Sequence, residues 1–142
     1  MATVTETIRI NATPDKVWEM IGEFNGLNTW HPAVAKSEQY EEGGVVYRKL
    51  TLGDGAVIIE SMDDHSHDRR SSTYSMTEVG PMPLATYQAT ITVSEGDADT
   101  SIIEWTGTFE PAGAPDDEVA EIVSSIYTSG FGAIADRFGT AD

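Results

Sequence analysis

The sequence predicts an α+β fold in which a curved antiparallel sheet of seven strands wraps around one long C-terminal helix, in the order β-α-α-β6-α. Three observations lead there. First, Val119, Ile122, Val123, Ile126, Tyr127, Phe131, Ile134 and Phe138 recur at spacings of three and four, which draws one broad apolar stripe along a helix over 115–138. Second, residues 2–10 alternate between apolar and polar, and six more short segments between 33 and 110 are divided by turn signals. Third, a single helix with one apolar stripe needs a surface to bury it against, and a curved sheet is the simplest these strands supply.

The elements follow in order. Val4, Ile8 and Ile10 share one face of the first strand, with Thr3, Thr5, Thr7 and Arg9 on the other; Glu6 interrupts the apolar face. Thr13-Pro14-Asp15 offers a helix cap, a proline for the first turn and an acid at the positive end of the dipole. Val17, Trp18, Met20 and Ile21 make that helix amphipathic. Phe24-Asn25-Gly26-Leu27 ends it, and Asn28 to Pro32 reads as a short second turn or helix. Strands are expected over 33–40, 45–53, 56–63, 69–79, 84–95 and 101–110, joined by glycine-, proline- and aspartate-rich connectors. Pro115 followed by Asp116, Asp117 and Glu118 opens the final helix, and Arg137 suits its end. Gly130 and Gly132 interrupt its pattern, each costing about 1 kcal/mol against alanine. A bend that also makes room for a close approach, by a strand or a ligand, is expected there.

A chain of 142 residues is expected to form one domain, 1–142, with a real core supplied partly by three tryptophans, five tyrosines and four phenylalanines. The net charge of −16 argues against nucleic acid and against anionic membrane surfaces as partners. The absence of cysteine excludes disulfides, thiolate metal sites and a thiol nucleophile. Apolar runs are too short to span a bilayer. MATVTETIRI has neither a basic nor an apolar leader region, so a cytoplasmic location is expected. Monomer and homodimer both remain open.

Side chains alternate across a strand, so parity sorts the concave face. It gathers Arg48 with Val46, Leu50 and Leu52; Glu60 with Ala56, Ile58 and Met62; Tyr74 with Met76; Tyr87 with Ala89, Ile91 and Val93; and Trp105 with Ile103 and Phe109. A buried arginine or glutamate is expensive unless paired. Two readings follow. Arg48 and Glu60 are a structural ion pair across the hairpin, or they are the few convergent polar groups of an apolar cavity.

The segment Thr7 to Pro32 (TIRINATPDKVWEMIGEFNGLNTWHP) resembles the opening of the SRPBCC proteins, the START-like or helix-grip superfamily, in its polyketide cyclase/dehydrase-like branch. The shared features are the strand, Ala12-Thr13-Pro14, Val17-Trp18 in the helix, and Trp30 before Pro32. The resemblance covers nearly the whole chain and implies a large hydrophobic cavity between sheet and C-terminal helix. It does not fix a function, because one fold hosts carriers, receptors and cyclases. A narrower similarity is to the plant lachrymatory-factor synthases, whose cavity arginine and glutamate resemble Arg48 in VVYRKL and Glu60. Tyr87 in TYQAT and Trp105 in IEWTGTF resemble their cavity aromatics.

The site expected from these readings has Arg48 and Glu60 as polar groups, with Trp30, Tyr74, Tyr87, Trp105, Ile126 and Phe131 against the ligand. In a carrier of a small hydrophobic or lipid molecule, Arg48 takes the ligand's polar head. In a cofactor-free cyclase, dehydratase or isomerase, Glu60 is the general acid/base and Arg48 stabilises an oxyanion. Asp63-Asp64-His65-Ser66-His67-Asp68 is the nearest approach to a metal site, but two histidines in a polar, solvated turn fall short of three or four converging ligands. No metal or cofactor is expected. His31 is expected to cap or pack, with a place at the cavity mouth as the alternative.

Overall fold

The computed structural model of the chain describes residues 1–141. Seven antiparallel strands form one sheet: β1 (Ala2–Ile10), β2 (Val34–Glu42), β3 (Val45–Leu52), β4 (Val57–Ser66), β5 (Ser71–Glu78), β6 (Leu84–Glu95) and β7 (Ser101–Pro111). Their spatial order is β1-β7-β6-β5-β4-β3-β2, so β1 closes one edge and β2 the other. Helix α1 (Pro14–Ile21) and a short 3-10 turn (Phe24–Thr29) connect β1 to β2, and α2 (Asp116–Phe138) follows β7. Both the fold class and the element order agree with the sequence expectation.

Local chemistry sets the ends. Thr13 caps α1 by accepting from Lys16 N–H at 3.4 Å, with Pro14 in the first turn. Pro115, in an extended conformation, stands just before α2, followed by three acids in the first turn and with Arg137 in the last. Even-numbered residues of β1 face α2. Glu6, which interrupts that apolar face, is met there by the hydroxyl of Ser124.

Val119, Val123, Tyr127, Phe131 and Ile134 of α2 are buried against the sheet with Ile103, Trp105 and Phe109. The helix is continuous through Gly130 and Gly132. The close approach expected at the glycines belongs to Gly130 alone. A methyl group there would lie 3.0 Å from ring carbons of His31, Trp105 and Trp30, whereas Gly132 faces open space. A second close approach lies at Gly107 of β7, beneath Tyr127; any side chain there would meet the tyrosine hydroxyl.

One irregularity redirects a strand. In β4 the register against β5 shifts between Met62 and Asp64, so Asp63 is an extra residue. Ile58, Glu60 and Met62 face inward before it; after it His65 does. The expectation of a solvated histidine turn is therefore corrected for His65, which lies half-buried in β4, whereas His67 sits exposed in the turn that follows. His65 bridges Ser72 Oγ (2.9 Å) and the carbonyl of Gly22 (2.8 Å), and His67 Nδ1 accepts from Trp18 Nε1–H (2.9 Å). Among the described residues no three histidines or acids converge as they would on a cation.

Candidate functional site

Strands β3 and β4 pair so that Arg48 stands directly opposite Glu60. Both are almost fully buried, at 6% and 3% exposure. Arg48 Nε–H donates to Glu60 Oε1 at 2.8 Å, and its Nη2 lies 2.7 Å from the same oxygen. Nη1 donates to the carbonyl of Phe24 at 2.8 Å, and the guanidinium is sandwiched by the rings of Phe24 (4.2 Å) and Tyr74 (4.8 Å). Each of the three guanidinium nitrogens thus has a protein oxygen within hydrogen-bond distance. Glu60 Oε2, by contrast, has no hydrogen-bond partner among the described residues.

That oxygen belongs to a side chain lining a cavity of about 170 Å³ between the sheet and α2. Leu50, Leu52 and Ile58 of β3 and β4 form one wall, and Ile122 and Ile126, one turn apart on α2, form another. Leu27 comes from the 3-10 turn, Val34 from the start of β2 and Met82 from the connection between β5 and β6. Tyr74, Tyr87, Trp105 and His31 supply the aromatic surface. The lining is thus aliphatic and aromatic, with few polar atoms, as in a small-molecule site.

Hydrogen bonds decide which polar atoms are spent. Trp105 Nε1–H donates to Tyr74 Oη at 3.0 Å, which leaves the Tyr74 proton uncommitted. Tyr87 and Tyr127 share one hydrogen bond between hydroxyls at 2.5 Å. Burial pushes the pKa of all three tyrosines above the ordinary value, so they remain protonated donors at neutral pH. His31 Nδ1 accepts from Ala33 N–H (3.1 Å), so Nε2 carries the proton and donates to the carbonyl of Ile126 (2.8 Å). Both of its nitrogens are used. Burial pushes Glu60 above the ordinary carboxylate range, and the adjoining Arg48 opposes this.

The residues expected to form the site divide into three sets. Glu60, Tyr74, Tyr87, Trp105 and Ile126 line the cavity together. Arg48 and Trp30 line only a void of about 20 Å³ behind it, beside His65 and Ser72. Phe131 lines neither and packs on Trp105, with ring centres 6.1 Å apart. Arg48, expected at a ligand's polar head, aims Nε and Nη2 at Glu60 and Nη1 at the Phe24 carbonyl, and it lines the small void and not the larger cavity. Leu27, Val34, Met82 and Ile122 were not anticipated. Ile122 was visible in the α2 stripe, one turn before Ile126, but Leu27, Met82 and the start of β2 at Val34 depend on how the segments between elements fold.

Protein XoxI of Bacillus cereus superposes on this chain with a TM-score of 0.90 and 37% identity, covering 97% of this chain and 96% of the other. An aromatase/cyclase from Streptomyces (TM-score 0.77, 21% identity, 96% and 92% covered) shares the fold. So does a START superfamily protein from Mycobacterium smegmatis (0.77, 13%, 96% and 96%). Comparison with curated proteins gave no match. Residues 1–139 match the family described as polyketide cyclase / dehydrase and lipid transport. With a matching helix-grip sheet, a closing helix and a cavity between them, the chain belongs to that family.

Proposed function

We propose that this protein binds a small, mostly apolar molecule in the cavity between sheet and α2, with Glu60 Oε2 and the Tyr74 hydroxyl as its polar contacts. The observation that supports this is that Glu60 lines an aliphatic and aromatic cavity while Arg48 engages only its Oε1. Ile126→Trp fills the cavity without touching the ion pair. Uptake of toluene, followed by NMR shifts of cavity methyl groups, is expected for wild type and lost in Ile126→Trp. Equal shifts in both proteins would overturn the reading.

A second reading has one observation in its favour: burial holds Glu60 above the ordinary carboxylate range, closer to where a general acid/base works. In a cofactor-free cyclase, dehydratase or isomerase, Glu60 would move the proton and Tyr74, in place of Arg48, would donate to a developing oxyanion. Glu60→Gln separates the two. Toluene uptake survives in a carrier, whereas turnover collapses in an enzyme.

A further inference from the structure

The cavity's size and its unspent polar atoms define what fits it. An engineered apolar cavity of about 150 Å³ takes up benzene, so this one, at about 170 Å³, takes one ring with small substituents. The charge pattern excludes an anion. Arg48 is held behind Glu60, so a carboxylate or phosphate entering the cavity meets Glu60 and no guanidinium. The hydrogen-bond inventory is equally selective. Glu60 Oε2 has room to accept, and Tyr74, already accepting from Trp105, has a proton to give. A hydroxyl satisfies both at once. An ammonium group gives Glu60 a donor but cannot accept from Tyr74, and it must be stripped of water among aliphatic side chains.

We infer that the cavity selects an uncharged one-ring molecule bearing a hydroxyl, which donates to Glu60 Oε2 and accepts from Tyr74 Oη. This rests on the binding reading above and narrows it.

The test uses the full chain at neutral pH and a matched series of probes in isothermal calorimetry: toluene, p-cresol, p-toluate, p-methylbenzylamine and a three-ring anthracenol. A hydrogen bond to a buried carboxylate makes p-cresol bind about tenfold tighter than toluene or more. The anion, the amine and the three-ring phenol bind more weakly than p-cresol. In Glu60→Gln, or in the charge-free double variant Arg48→Met with Glu60→Gln should the single variant not fold, the preference for p-cresol over toluene shrinks toward parity. Equal binding of toluene and p-cresol to wild type overturns the inference and leaves the binding reading intact. So does tighter binding of p-toluate, the amine or the anthracenol, or an unchanged preference in the variant. If no probe binds, toluene included, the binding reading itself fails and the inference with it.

Discussion

Arg48 gives two nitrogens, Nε and Nη2, to one oxygen of Glu60 and none to the other. The pair is buried, with side chains 7% and 4% exposed, so removing one partner strands a charge. Arg48→Met is expected to lose about 3 kcal/mol or more in urea unfolding, and the double variant Arg48→Met, Glu60→Gln to recover most of that loss. Additive losses would show that the two side chains act independently, contrary to the geometry.

The two glycines of α2 separate propensity from packing. In a helix interior, alanine in place of glycine stabilises by up to about 1 kcal/mol, and Gly132, which faces open space, is expected to follow that rule. Gly130 reverses it. Its methyl group would press on His31, Trp105 and Trp30 at 3.0 Å, and overpacking costs about 1–3 kcal/mol. Thermal unfolding of Gly130→Ala and Gly132→Ala should therefore shift in opposite directions. A gain in both would mean that the three rings yield freely.

These glycines show how far the sequence could be read. The α2 stripe, the turn residues and strand parity sufficed for the fold, because burial periodicity acts over a few residues and survives without knowledge of the rest. Parity also brought Glu60, Tyr74, Tyr87 and Trp105 to one face. The strand expected to stop at 63 runs on to Ser66, and the extra residue at Asp63 turns His65 inward, which parity could not foresee because a bulge leaves no periodic trace of its own. Parity could not show that Arg48 would aim Nε, Nη1 and Nη2 at Glu60 and Phe24, nor that Trp30 and Phe131 would sit outside the cavity. Those outcomes depend on distances between elements far apart in the chain, and alternation carries no information on them.

Gly107 opens the space that Tyr127 fills, and Tyr127 in turn bonds Tyr87 at the cavity wall. Gly107→Ala is expected to destabilise by about 1–3 kcal/mol through overpacking. Adding Tyr127→Phe, which removes the oxygen nearest the new methyl group, should restore part of that loss even though it deletes a hydrogen bond. Urea midpoints of the two single variants and the double variant check this. A double variant no better than the sum of the singles would place the strain elsewhere.

Two histidines set the acid side of stability. Burial holds His31 and His65 below the ordinary histidine value, against the opposing hydrogen bonds to the Ile126 and Gly22 carbonyls, and the Arg48 charge lowers His65 further. The unfolded chain therefore takes up these protons more readily than the native one. Their contribution to stability is fully present above the ordinary histidine pKa and is lost as pH falls through it toward the native values. Glu60, raised in the native state, works in the opposite sense: its contribution is present at low pH and is lost as pH rises through the raised value. At most about 1.4 kcal/mol per pH unit follows from each proton. Chemical denaturation between pH 7.5 and pH 5 is expected to show wild type losing stability on acidification. The loss should be shallower in His31→Gln, which starts lower because the bonds to Ala33 and Ile126 are disturbed. Parallel curves for the two proteins would mean that His31 does not titrate in this range, and His65 would then carry the acid sensitivity alone.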